Sequence, residues 1–183
     1  MSAEQYQLEI IEKLAHIPAA QWNVLLHYDA SPFLKHEFLS TLEETNCVGG
    51  NTGWQVAHLG LYRQKELIGA MPLYLKQHSY GEFVFDWSWA QAYYPKALCA
   101  VPFSPVQGAR ILCLCDEDAS LAQAQLIAGL KTLVLENNLS SAHILFPQAI
   151  EADTLADQGF MLRDSVQFHW HNQDFENFEH FLS

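Results

Sequence analysis

The chain has 183 residues, half of them apolar and 13% aromatic, which excludes a disordered polymer and supplies a core for one domain. Twenty-one acidic residues against nine Lys and Arg give a formal net charge of -12, which argues against nucleic acid or an anionic membrane as a direct partner of this chain. No run of ~18 apolar residues and no secretory leader pattern is visible, so the expectations are no membrane span and a cytoplasmic location.

Leu8 and Ile10 alternate with Gln7 and Glu9, which predicts a first strand over Tyr6 to Ile11. Pro18 suits a first helical turn, followed by a short amphipathic helix carrying Trp22, Leu25 and Leu26. Ser31-Pro32 is read as opening a second helix, with Leu34, Phe38 and Leu42 on one stripe, ended by Asn46 and Gly49-Gly50. Trp54 to Tyr62 and Glu66 to Lys76 read as a hairpin with a polar turn at Arg63-Gln64-Lys65. Gly69 and Pro72 mark a bulge or strand edge in its second strand.

Met71 to Arg110 is the densest part of the chain. A strand is predicted over Glu82 to Trp89. Its alternation puts Phe83, Phe85, Trp87 and Trp89 on a core face and Glu82, Val84 and Asp86 on the other. Glu82 and Asp86 then lie roughly 13 Å apart, too far to share a proton but near enough to line one groove. His78 and Tyr80 extend the Glu82 face. After a run from Leu98 to Phe103, Pro105 to Arg110 reads as a shaped loop and Ile111 to Leu114 as apolar strand.

Asp116 to Asp118 precede a long helix, Ser120 to about Asn137, where acids suit the helix dipole. The expected remainder is a short buried strand at His143 to Phe146, a short helix at Glu151 to Asp157 stopped by Gly159, and strands at Phe160 to Arg163 and Val166 to His171. His169 and His171 share a strand face near Asp174, but no third ligand is evident and no metal is expected. Cys47, Cys99, Cys113 and Cys115 form no CxxC pair and read as reduced thiols. Residues 1–173 are expected to form a single domain. Residues 174–183, with Phe175, Phe178, Phe181 and Leu182, read as the start of a further, truncated helix through which the chain could associate.

The order of elements resembles a GNAT-type acyltransferase domain, which implies an α/β fold with a mixed, mostly antiparallel sheet flanked by helices. Ser31-Pro32-Phe33-Leu34 with His36-Glu37-Phe38-Leu39 resembles a segment of the FemAB-like predicted N-acyltransferases, a family described by peptidoglycan biosynthesis or recognition. Thr52-Gly53-Trp54, Pro72-Leu73-Tyr74-Leu75-Lys76, His78-Ser79-Tyr80-Gly81-Glu82, Val84-Phe85-Asp86-Trp87, Tyr94-Pro95-Lys96 and Val101-Pro102-Phe103-Ser104-Pro105-Val106 extend that resemblance. It covers roughly residues 31 to 171 and the first of the two GNAT-like halves of such bacterial proteins. Relatives carry a longer segment at Ala92-Tyr93.

The resemblance implies transfer of an acyl or aminoacyl group to a small-molecule or peptide amine, in cell-wall peptide metabolism. Glu82 or Asp86 would take the proton of the attacking amine, with Tyr80 as acid to the leaving thiolate and His78 as a further base. Acyl-CoA would be the donor, its pyrophosphate set against Gln107, Gly108, Ala109 and Arg110. Three acids at the entrance of the long helix oppose such an anion. The alternative is a recognition half-domain without catalysis, or a domain that only folds and associates.

Overall fold

The apolar runs on either side of Gln64-Lys65 pair as strands, and the sheet builds outward from them. The structure is a computed structural model that describes residues 6–82, 94–116, 118–164, 166, 168 and 170–182. β3 (His58–Arg63) and β4 (Glu66–Met71) form the hairpin. β1 (Tyr6–Ile11) pairs antiparallel with β3, and β7 (Leu112–Cys113) antiparallel with β4. A second sheet has the order β2 (Trp54–Val56), β5 (Leu73–Lys76), β6 (Lys96–Cys99), β8 (Ser141–Ile144). Its one parallel pair is β6 with β8; β2–β5 and β5–β6 are antiparallel.

The two long strands expected over 54–62 and 66–76 therefore each divide between two sheets. Pro72 lacks an N–H and cannot continue the ladder, and the break opposite falls at Ala57. The gap is stitched locally. Ala57 N–H donates to the Leu73 carbonyl at 3.0 Å, and Leu73 N–H donates to His58 Nδ1 at 3.0 Å. Nδ1 also lies 3.1 Å from the Leu73 carbonyl, so both backbone groups of Leu73 meet the same ring nitrogen. Nε2 faces Glu43 Oε1 at 3.3 Å in a fully enclosed pair. Gly69 lies beside the register shift between Leu61 and Tyr62, as its place in the strand suggested.

α1 (Ala19–Asn23) and α2 (His36–Glu44) cover one side of the sheets. Trp22 is fully buried there, and its Nε1–H donates to the Leu34 carbonyl at 2.9 Å. The helix expected from Ser31 starts later. Pro32–Leu34 is a 3-10 turn capped by Ser31 Oγ, and extended backbone at Lys35 separates it from α2. α3 (Ala119–Glu136) buries Ala122, Leu126, Ile127 and Leu130 against the opposite side of the sheets. Its length matches the sequence reading. Its faces are less covered than expected, since Leu121 and Leu135 are exposed.

α4 (Ala149–Asp157) ends at Gly159, which adopts φ +86° where only glycine is unstrained. β8 is half-buried rather than buried. No described residue from Phe160 to His171 lies in a strand, against the expectation of two strands there. Met161 is 91% exposed and Phe168 98%. Period-two alternation marks a competent strand, but a strand forms only where a neighbour takes its hydrogen bonds. α5 (Phe178–Leu182) follows a turn, with Phe175, Phe181 and Trp170 packed on one another.

Candidate functional site

The second sheet places its polar residues in one row. Trp54, Lys76, Lys96 and Ser141 lie directly opposite one another across β2, β5, β6 and β8, and so share a face. The next row on that face is Val56, Tyr74, Leu98 and His143. The reverse face, with Leu73, Ala97 and Cys99, joins the core under α3.

Glu82 folds back onto the Lys76–Lys96 pair. The chain turns at Gly81 (φ +79°), and Glu82 is a bend residue rather than the first residue of a strand. Glu82, expected on a strand face lining a groove, is 5% exposed. Its Oε2 accepts a hydrogen bond from Lys96 Nζ at 2.9 Å. Its Oε1 lies 3.2 Å from Lys76 Nζ, close enough for an ion pair but without the alignment of a hydrogen bond. Lys96 Nζ also donates to Ser79 Oγ at 2.8 Å. Lys76 Nζ donates to the Tyr80 carbonyl at 2.6 Å and sits 3.4 Å from the centre of the Trp54 ring.

Two ammonium groups thus share one carboxylate in a closed environment. Lys76 is 1% exposed and Lys96 9%. Burial pulls the Lys76 ammonium down to about 8, Glu82 opposes that shift, and the like charge of Lys96 adds to it. His143 on β8 is also held below its ordinary range, first by burial and then by Lys96.

Tyr80 and His78 stand at the rim. Tyr80 is 78% exposed. Its N–H donates to His78 Nδ1 at 3.3 Å, which leaves His78 Nε2–H directed at the Thr52 carbonyl, also 3.3 Å away. A Cβ on Gly53 would fall 2.0 Å from His78 Nε2, so Gly53 makes room for that ring. Asp86, Trp87 and Trp89 lie outside the described residues, as do the rest of the expected 83–89 strand, Glu117 and His169.

The Gln107–Arg110 loop does not fit a pyrophosphate. Gln107 is exposed, but Gly108 N–H donates to the Phe146 carbonyl at 3.2 Å. The Arg110 guanidinium, read from the sequence as a cofactor contact, is wholly buried. It donates to the carbonyls of Val106, Gly108, Ala109 and Leu145. Arg110 N–H and Ile111 N–H both point at the Glu151 carboxylate, the latter at 2.6 Å. An internal carboxylate already takes the adjacent N–H pair of Arg110 and Ile111 at the loop's end. At the entrance of the long helix Asp116 and Asp118 pair with Arg63, and Asp118 N–H donates to Asp116 Oδ1 at 3.0 Å, so negative charge stands where an anion would approach.

Among the described residues, no group of three or more His, Cys, Asp and Glu is placed to hold a metal ion, and no helix is long and apolar enough to cross a membrane.

The sequence profile of the FemAB-like family, described by peptidoglycan biosynthesis/recognition, matches residues 13–183. The chain belongs to that family. No curated protein sequence matches it. Solved structures of similar fold include acetyltransferases. An aminoglycoside N-acetyltransferase in complex with CoA is 10% identical, with 94% of this chain and 97% of that chain covered and a TM-score of 0.51. A ribosomal-protein-alanine N-acetyltransferase from Brucella melitensis biovar Abortus 2308 is 13% identical, covering 91% and 99% at a TM-score of 0.52. An acetyltransferase from Trypanosoma brucei is 11% identical, covering 91% and 100% at a TM-score of 0.55. At these identities the likeness is one of fold alone: this FemAB-like chain shares the fold of those acetyltransferases.

Sequence reasoning named Glu82, Tyr80 and His78 but not the lysines that surround the carboxylate. A signal was available: Lys76 and Lys96 border apolar strand runs in a chain with few cations. What placed them together was the register of β5 against β6. Glu151 and the Glu43–His58 pair left no sequence signal, since each meets a partner more than ten residues away.

Proposed function

We propose that this domain transfers an acyl or aminoacyl group from acyl-CoA to the amine of a small-molecule or peptide acceptor, in cell-wall peptide metabolism. The observation that supports the reading is near-complete coverage of the chain by N-acetyltransferase structures, one of them a CoA complex. In such a reaction the amine nitrogen bonds to the thioester carbonyl carbon, the C–S bond breaks, the nitrogen loses a proton and the thiolate gains one.

In this proposal the amine proton passes to the Glu82 carboxylate, which the two lysine ammonium groups hold in place. Lys76 exchanges its proton near neutral pH, at about 8. Asp86 is the second carboxylate proposed for the groove. Tyr80, exposed at the rim and held through its N–H by His78, would return a proton to the thiolate. The reading also carries a cytoplasmic setting.

A second reading is a recognition half-domain that binds the acceptor without catalysis. It is favoured by the closed Gln107–Arg110 loop and by the acids that engage Arg63 at the start of α3. One experiment separates the two. The chain is incubated with acetyl-CoA and a panel of amino sugars and peptide amines, and products are read by mass spectrometry. Acyl transfer, lowered about 100-fold in kcat/KM by Glu82→Gln, supports the first reading. Acceptor binding by calorimetry with no turnover and no acetyl-CoA binding at millimolar concentration supports the second. Transfer unaffected by Glu82→Gln removes Glu82 from the chemistry.

A further inference from the structure

Among the described residues the fold buries three cations, Arg110, Lys76 and Lys96, and they are not satisfied in the same way. Arg110 is surrounded by carbonyls, with Glu151 on its backbone N–H. Arg63 meets two aspartates. The exception is the row on the second sheet. Among the described residues, Glu82 is the one carboxylate in contact with either Lys76 or Lys96, so the trio carries an excess positive charge. Burying an ammonium group without a full counter-charge is costly, and folds avoid it unless something else supplies the charge.

The donors are not exhausted either. A lysine carries three N–H groups. Among the described residues, Lys96 spends two of them, on Ser79 Oγ and Glu82 Oε2. It is also the more exposed of the pair. Beside it on β8 stand Ser141 and His143, both half-buried, whose Oγ and Nε2 are 2.9 Å apart. Whichever of these donates to the other, the pair keeps a further donor: the hydroxyl can turn outward, or the ring keeps its second nitrogen.

We propose that Lys96 and Lys76 form a binding subsite for an oxyanion, a phosphate or carboxylate group carried by one of the substrates. An anion there completes the charge balance of the trio and takes the remaining Lys96 N–H. The site lies at the β8 edge of the Trp54–Lys76–Lys96–Ser141 row, where burial relaxes from Lys76 to the half-buried Ser141 and His143, rather than at the loop before the long helix, where Glu151 holds the Arg110 and Ile111 N–H groups. The inference rests on the acyl-transfer reading only for which substrate carries the anion.

Sulfate is the probe, because it keeps its charge across neutral pH and has no acyl group to transfer. The full chain is titrated calorimetrically with sodium sulfate at pH 7 and constant ionic strength, alongside Lys96→Met, Lys96→Arg and Glu82→Gln, each checked for folding by circular dichroism. The expected result is saturable binding, weakened at least about tenfold in Lys96→Met, kept in Lys96→Arg, and tightened about tenfold in Glu82→Gln because both ammonium groups are then free for the ligand. A lysine pair with only a structural role would lose stability in Glu82→Gln without gaining sulfate affinity. Absence of saturable sulfate binding by the wild-type chain, or equal binding by Lys96→Met, overturns the proposal, and neither test needs Glu82→Gln to fold. Displacement of sulfate by CoA assigns the subsite to the donor's phosphates. Displacement by glycylglycine but not by its amide assigns it to an acceptor carboxylate. Sulfate binding without turnover would sink the acyl-transfer reading and leave the subsite; turnover without sulfate binding would do the reverse.

Discussion

Lys76 should make the domain more stable as its surroundings become alkaline, which reverses the usual expectation for a lysine in an ion pair. The ordinary value of 10.5 falls to about 8 in the fold, chiefly because burial disfavours the ammonium form. Between these two values the unfolded chain binds the proton and the folded chain does not, so stability rises with pH across the window from about 8 to 10.5. Each pKa unit corresponds to about 1.4 kcal/mol, and the shift of roughly 2.5 units gives an upper figure of about 3 kcal/mol. Other buried groups titrate here in the opposite sense. Burial holds the Tyr62, Tyr74, Cys99 and Cys113 protons on, so their folded forms resist ionisation that the unfolded chain allows. The assay is therefore a difference. Urea unfolding of the wild-type chain and of Lys76→Met is measured from pH 7 to 10.5 in sulfate-free buffer. The wild-type stability minus that of Lys76→Met should climb by about 2–3 kcal/mol across the window. A flat or falling difference would refute the claim that burial, rather than Glu82, dominates at Lys76.

Two further outcomes test the scaffold. Glu151→Ala removes the acceptor of Arg110 N–H and Ile111 N–H beside a buried guanidinium, and should cost about 3–5 kcal/mol in chemical denaturation, with Glu151→Gln losing less. Gln64 and Lys65 both adopt positive φ (50° and 74°) at the exposed hairpin tip, so replacing them with Asn-Gly should raise stability by about 1 kcal/mol and the melting temperature by a few degrees.

Much of the fold was legible because its signals are local. The β3–β4 hairpin needs only two apolar runs and a polar turn, and the bulge and the break came from Gly69 and Pro72 themselves. α3 showed its span through a long apolar run with acids in front of it. The candidate site was half legible. The rare residues from His78 to Glu82 drew notice by their types, but alternation along an assumed strand set Glu82 on the face away from the core, and the turn at Gly81 sends it inward.

What the amino-acid order by itself determined are the features set by a residue and its near neighbours: turn chemistry, helix length, the Pro72 break, the acidic surface and the family strings. Tertiary structure alone decided which groups meet. Lys76, Glu82 and Lys96 come from three segments, and only the β5–β6 register brings their charges within contact. Arg110 could not be told from a ligand-binding arginine until the carbonyls around it were in place. The alternating segment after Gly159 could not be told from a strand until its described residues were seen outside any strand. Hydrogen bonds and charge pairs between distant segments depend on distances through space, and spacing along the chain carries no record of them.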